Sequence, residues 1–318
     1  MKGKLWKKVM AGAAAALILA GSLSTSALAG SLDRTPDESE VLALTAQYDP
    51  DGYHILEDAM QRGDDFSSYI RCDVLGSIDT CIHEMHHGYV FDNGSVNRKT
   101  GMVDQTFYLG GGTDYSVPAT KCFRTEVVTG SLPASLQTFR YDTYVSPGNI
   151  TDANQSGVYG LLNEFSAYYW GCNSYLALYP YCETVCTDPS DWMSYIGGYT
   201  NGRDAYAEFY YWTLLYLEYA RTNRPKVYKA IIRNRAYCNC FSYFESNFRA
   251  QLASYEQTLD AVCMKYNGVP MAQSTIDGYL FLGWCGIGMD DNSAYLTLKP
   301  HIEDPAFDTV KQDLGILP

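Results

Sequence analysis

The sequence predicts an α+β protein, mainly α, with a small β insert between two long helices. Three observations carry that expectation. Apolar residues recur every three or four positions across residues 67–92 and again from Val158. Between these stretches, residues 100–150 hold short β-branched and aromatic runs broken by glycine and proline. Beyond 155, helical spacing dominates to the end of the chain.

The first 29 residues are read separately. Lys2, Lys4, Lys7 and Lys8 precede the apolar run Ala13 to Ala20, and Ala27-Leu28-Ala29 supplies a small-x-small cleavage site. That is the pattern of a secretory signal peptide, too short to serve as a spanning helix. The expected destination is extracellular. The full chain carries a net charge of −13, and removing a leader with four lysines and no acid leaves −17. Such an acidic chain is repelled by phosphate backbones, which argues against nucleic-acid partners. No later stretch is apolar enough to span a bilayer. Ten cysteines in an exported chain predict disulfides, although their pairing and the oligomeric state are not readable from sequence.

Residues 30–65 are rich in acids and turn formers and read as an extended N-terminal segment, with Asp49-Pro50-Asp51-Gly52 as a plain turn. Residues 66–318 are expected to form a single domain. Its first helix, 67–92, carries the stripe Ile70, Val74, Ile78, Ile82, Met85 and Tyr89, with Ser67 or Ser68 as cap and Asn93-Gly94 as stop. Within the β-rich insert, 106–109, 122–129 and 136–145 read as strands. The helical remainder, 155–318, begins with Val158, Leu161, Phe165, Tyr169, Cys172 and Leu176. Asp204 to Thr222 is apolar on nearly every side, so a buried helix is expected there. Pro225 suits the first turn of the next helix. Ser242-x-x-Glu245 has the form of a capping box, and Asn267-Gly268 of a helix stop.

His83-Glu84-Met85-His86-His87 holds the pattern H-E-x-x-H. Helical residues four apart lie about 40° from alignment, so both imidazoles can reach one metal from successive turns. Glu84, on the adjoining edge, can take a proton from water held beside the metal. His83 and His87 lie off the apolar stripe, on a face shared with Gly76 and Thr80. His86 points about 100° away and reads as a packing residue. His54 and His301 stand alone.

A catalytic zinc site uses three protein ligands and an open position. The strongest third candidate is Glu164, 77 residues after His87, on a helix face with Gly157, Gly160, Ala167 and Gly171. Small side chains let two backbones approach, which a carboxylate needs in order to reach a neighbouring helix. Glu126, Glu183 and Glu208 are the alternatives.

H-E-M-H-H followed by Asn163-Glu164-Phe165-Ser166-Ala167-Tyr168 resembles the gluzincin group of zinc metallopeptidases. The resemblance covers two short segments. It implies a zincin-like fold, Zn2+ held by His83, His87 and Glu164, Glu84 as general base, and a peptide or protein substrate. The chain departs from the thermolysin-like pattern in placing Glu164 much further along, across the β insert. Enzymes of this kind often place a Tyr, His or Arg against the oxyanion. Tyr168, one turn beyond Glu164, is the candidate, with Arg140, Tyr141 and Tyr144 as others. The rival reading is an exported, aromatic-rich glycan- or protein-binding module with a structural or vestigial zinc site, since the chain has 28 tyrosines.

Overall fold

The computed structural model describes residues 32–98, 100–289 and 293–317. The leader expected at 1–29 lies outside them. The segment read as extended is instead a pair of helices, α1 (Glu38–Tyr48) and α2 (Pro50–Arg62). Asp37 caps α1 by accepting from Glu40 N at 2.9 Å. The supposed turn at Asp49-Pro50 is the start of α2: Pro50 occupies its first turn and the Asp49 carboxylate accepts from Gly52 N at 3.1 Å. Val41 and Leu44, then Ile55, Leu56 and Ala59, are buried. Their helical spacing is diluted in the sequence by surface acids.

Helix α3 (Val74–Asp92) begins later than the serines suggested. Ser67–Tyr69 is a single 3-10 turn, and the cap is Asp73, which accepts from Gly76 N at 3.0 Å. The helix stops at Asn93, as expected. At Gly94 a Cβ would fall 2.1 Å from the Asp104 carbonyl, so the chain can pass there only without a side chain.

Strands β1 (Ser95–Val96), β2 (Val103–Tyr108) and β3 (Asp114–Val117) form an antiparallel sheet in that order. Gln105 pairs with Val117, and Tyr108 with Asp114. The strands expected at 122–129 and 136–145 do not form. Glu126–Thr129 and Tyr141–Tyr144 are one-turn helices, and Ala134–Leu136 is a 3-10 turn. Side chains satisfy this irregular backbone: Thr125 Oγ1 donates to Ala153 O and Thr129 Oγ1 to Val145 O, each at 2.6 Å. Composition alone does not distinguish a strand from a buried, side-chain-braced loop.

Helix α4 (Val158–Ala177) is the centre of the molecule, with 16 of its 20 residues buried. It packs against α3, α6 (Met193–Asn223) and α8 (Arg235–Asn267). Helices α5 (Tyr179–Val185) and α7 (Pro225–Arg233) connect them, the latter opening on Pro225 as expected. Phe165 meets Phe241 and Phe248 with ring centroids 5.5 Å apart. Gly171 lets α3 approach, because a Cβ there would lie 2.0 Å from Asp79 Oδ1.

The capping box at Ser242 is corrected: it lies inside α8, which starts at Arg235 under an Asn234 cap. Ser242 Oγ bonds Gly315 O at 3.3 Å, and the Glu245 carboxylate accepts from Tyr206 OH at 2.9 Å. Gly268, at φ +71, closes α8. A second antiparallel sheet, β4 (Thr275–Ile276), β5 (Tyr279–Leu282) and β6 (Cys285–Gly288), was not foreseen within the helical remainder. Helices α9 (Ala294–Ile302) and α10 (Asp308–Leu314) follow it.

Many tyrosines serve the core. Tyr195, Tyr216, Tyr237 and Tyr255 are wholly buried, which leaves them unable to stack on a sugar. No disulfide joins the ten cysteines in this structure, and seven of them are buried. They behave as small apolar packing groups: Cys172 Sγ, for example, fills the space against Gly202. Among the described residues, no helix is long and apolar enough to cross a membrane.

Candidate metal centre

Helix α3 presents His83 and His87 on successive turns, and α4 brings Glu164 against them from the other side. His83 Nε2 and His87 Nε2 lie 3.2 Å apart. Glu164 Oε2 is 3.7 Å from the first and 3.4 Å from the second. Among the described residues, these three form a group able to hold a metal ion. The point equidistant from the three atoms lies about 2.0 Å from each, the length of a bond from zinc to imidazole or carboxylate. Glu164 Oε2 is buried, and beyond the His87 imidazole 3.4 Å away it has no hydrogen-bond partner. A desolvated carboxylate is costly unless a cation meets it, whether a metal ion or a protonated imidazole.

The electrostatics reflect this convergence. Burial opposes a charge on His87, but Glu164 and Asn163 outweigh it and lift the pKa to about 9. Burial, then His87, drives His83 well below the ordinary range. In the absence of a metal, one proton shared within the cluster is thus placed on His87.

The surroundings orient the rings. Asn163 Oδ1 accepts from His87 Nδ1 at 3.1 Å, leaving the Nε2 lone pair facing His83 and Glu164. Asn163 Nδ2 donates in turn to Asp152 Oδ2 at 3.4 Å. His86 points elsewhere, as expected, and is fully buried. Its Nε2 donates to Ser166 Oγ at 2.9 Å, and that hydroxyl donates to Asn163 O at 2.8 Å. Glu84 is half-buried on α3. Burial raises its pKa, His87 opposes the shift and Glu164 adds to it.

Tyr168 is also at the cluster, its ring edge-on to His83 with centroids 4.5 Å apart. Its hydroxyl lies 2.9 Å from that of Tyr144. The Arg140 guanidinium covers the Tyr168 ring at 4.7 Å. Arg140 is itself buried and held by Glu208, through its backbone N at 2.9 Å and Nη1 at 2.7 Å. Tyr141 is not part of this group, since its hydroxyl bonds Thr129 O at 3.2 Å.

The alternative third carboxylates are committed elsewhere. Glu208 pairs with Arg140, Glu126 binds Gly148 N at 2.7 Å, and Glu183 accepts from Tyr179 at 3.0 Å on the surface. His54 stacks on Tyr108 at 4.6 Å, and His301 lies beside Tyr211. Sequence reasoning missed Asn163, Asp152 and Ser166. Asn163 directly precedes Glu164 but lies about 100° round the helix from it, so no signal in the sequence marked it as a partner of His87.

Searches for similarity find no matching protein-family model, no matching curated protein and no matching solved structure.

Proposed function

We propose that this chain is a secreted zinc metallohydrolase, a peptidase acting on peptide or protein substrates. The observation that carries the reading is the triangle of His83 Nε2, His87 Nε2 and Glu164 Oε2, buried and with edges of 3.2, 3.4 and 3.7 Å. Two imidazoles and one carboxylate are a donor set suited to zinc, and three protein ligands leave a position open.

Zinc bound there would act as a Lewis acid toward a carbonyl and lower the pKa of an adjacent water. The chain's residues supply the rest. Glu84, whose pKa burial raises, would accept the proton of the attacking water and pass it to the leaving amine. Asn163 fixes the His87 ring. Tyr168, between His83 and Arg140, and its partner Tyr144 offer hydroxyl donors for charge developing on the substrate oxygen. The H-E-x-x-H arrangement supports catalysis over a structural site, because a structural site has no use for a base at Glu84.

The test is metal analysis of the purified protein together with hydrolysis of a mixed peptide library, with and without chelator. One zinc per chain and chelator-sensitive cleavage are expected. Full zinc occupancy in His83→Ala or His87→Ala would overturn the site. Zinc without cleavage of any peptide would overturn the peptidase reading.

A further inference from the structure

Strands β4, β5 and β6 turn one face of their sheet outward. The register sets Ile276 beside Tyr279, Tyr279 beside Gly288 and Phe281 beside Gly286, all on that face. Ile276 is 58% and Tyr279 41% exposed, whereas Leu280 and Leu282 on the other face are buried where β5 meets α8. Trp284, in the turn between β5 and β6, is 75% exposed. We propose that this face, with Trp284 at its end, is a stacking platform that binds a neutral glycan chain through the flat C–H faces of its sugar rings.

The rings are set for such contact. Three ring atoms of Phe281 lie 2.7–3.2 Å from where a Cβ would stand on Gly286, and a Tyr279 ring atom lies 3.4 Å from the same point on Gly288. The glycines of β6 thus let both rings lie across the neighbouring strand, with centroids 6.4 Å apart. Asn267, at the end of α8, fixes the sheet by donating to Phe281 O at 2.6 Å and accepting from Gly283 N at 2.7 Å. Asp277-Gly278 and Gly283-Trp284 are both tight two-residue hairpin turns. A ligand would therefore meet a surface that is already formed.

Covering bare backbone is reason enough for an aromatic ring opposite a glycine, so Phe281 by itself calls for no ligand. Trp284 is different. It leaves most of its surface in water, while Trp170, Trp192 and Trp212 are buried. A hairpin turn with glycine at its first central position makes no demand for an indole at the second.

Size and charge select the occupant. Strands of at most four residues at about 3.4 Å each, three abreast at about 4.8 Å, make a face on the order of 200 Å². A stable protein interface buries about 800 Å² on each partner, so this face alone holds neither a second copy nor a folded partner. None of the residues on the face is charged. The net charge of −13 on the chain repels anionic polymers. Uncharged sugar rings fit what remains, because their C–H groups meet the negative faces of the aromatic rings.

The test is native gel electrophoresis of the full chain through laminarin, xylan, galactomannan, amylopectin or polygalacturonate, with tryptophan fluorescence as a second readout. At least one neutral polysaccharide should retard wild type and shift the emission to shorter wavelength, and polygalacturonate should do neither. Trp284→Ala and Tyr279→Ala should each weaken binding about tenfold, whereas Tyr279→Phe, which keeps the ring, should bind as wild type does. Equal melting temperatures would show that these surface variants fold. Their peptide cleavage should be unchanged, which separates this test from that of the peptidase reading. No retardation by any neutral polysaccharide, binding that survives Trp284→Ala combined with Tyr279→Ala, or a dimer that dissociates in those variants would overturn the platform.

Discussion

Asn163 Oδ1 and His87 Nδ1 lie 3.1 Å apart, and this one bond decides which nitrogen of His87 faces Glu164. Asn163 is buried and adjoins Glu164 in sequence, so a single turn of α4 both supplies a candidate ligand and orients another. Asn163→Ala should therefore weaken zinc binding by about 10- to 100-fold, the usual cost of losing such a partner. Competition with a chelator dye measures it. Wild-type affinity in the variant would show that the bond is incidental.

Glu84 and Glu164 should separate chemistry from metal retention. Glu84→Gln keeps size and hydrogen bonding but removes the base, so zinc should stay while turnover drops about 10²- to 10⁴-fold. Glu164→Gln exchanges an anionic ligand for a neutral one, and zinc affinity and turnover should fall together. Parallel metal analysis and steady-state kinetics distinguish the two patterns. Retention of both zinc and activity in Glu164→Gln would remove it from the ligand set.

Glu208 should matter for stability through Arg140. Both side chains are buried, at 0% and 4% exposure, and they meet at 2.7 Å. Truncating one partner strands the other charge in a dry environment, at a cost of about 3–5 kcal/mol. Glu208→Ala should lower the midpoint of urea unfolding accordingly. A change under about 0.5 kcal/mol, the range of ordinary surface substitutions, would show that water reaches Arg140.

Asp49 should make stability depend on pH. Burial raises its carboxyl pKa from 3.8 to about 7, against the opposing bonds from Gly52 and Asn173. The folded state therefore holds a proton that the unfolded chain releases near pH 4. Stability from this group is full below that pH, declines as pH rises towards 7, and is flat above. Asp49→Asn keeps the acceptor for Gly52 and removes the titration. Its melting temperature relative to wild type should thus be higher at pH 7.5 than at pH 5. An equal difference at both values would contradict the assignment.

The sequence by itself determined that His83 and His87 stand on successive turns of α3. Periodicity places His83 and His87 together because both belong to one helix, where geometry follows from spacing. It also marked α4, the helix opening at Pro225 and the stop at Gly268, because each depends on local backbone chemistry. Where surface acids diluted the apolar spacing, α1 and α2 passed for extended chain. Where β-branched residues lined a braced loop, 122–145 passed for strands. Only the tertiary structure decided that Glu164 meets the histidines while Glu208 is taken by Arg140. A carboxylate on a distant helix carries no local mark of its partner. The packing of Gly171 against Asp79 and the pairing of Asn163 with His87 bring α4 to α3 in the needed register, and neither contact is encoded within one segment.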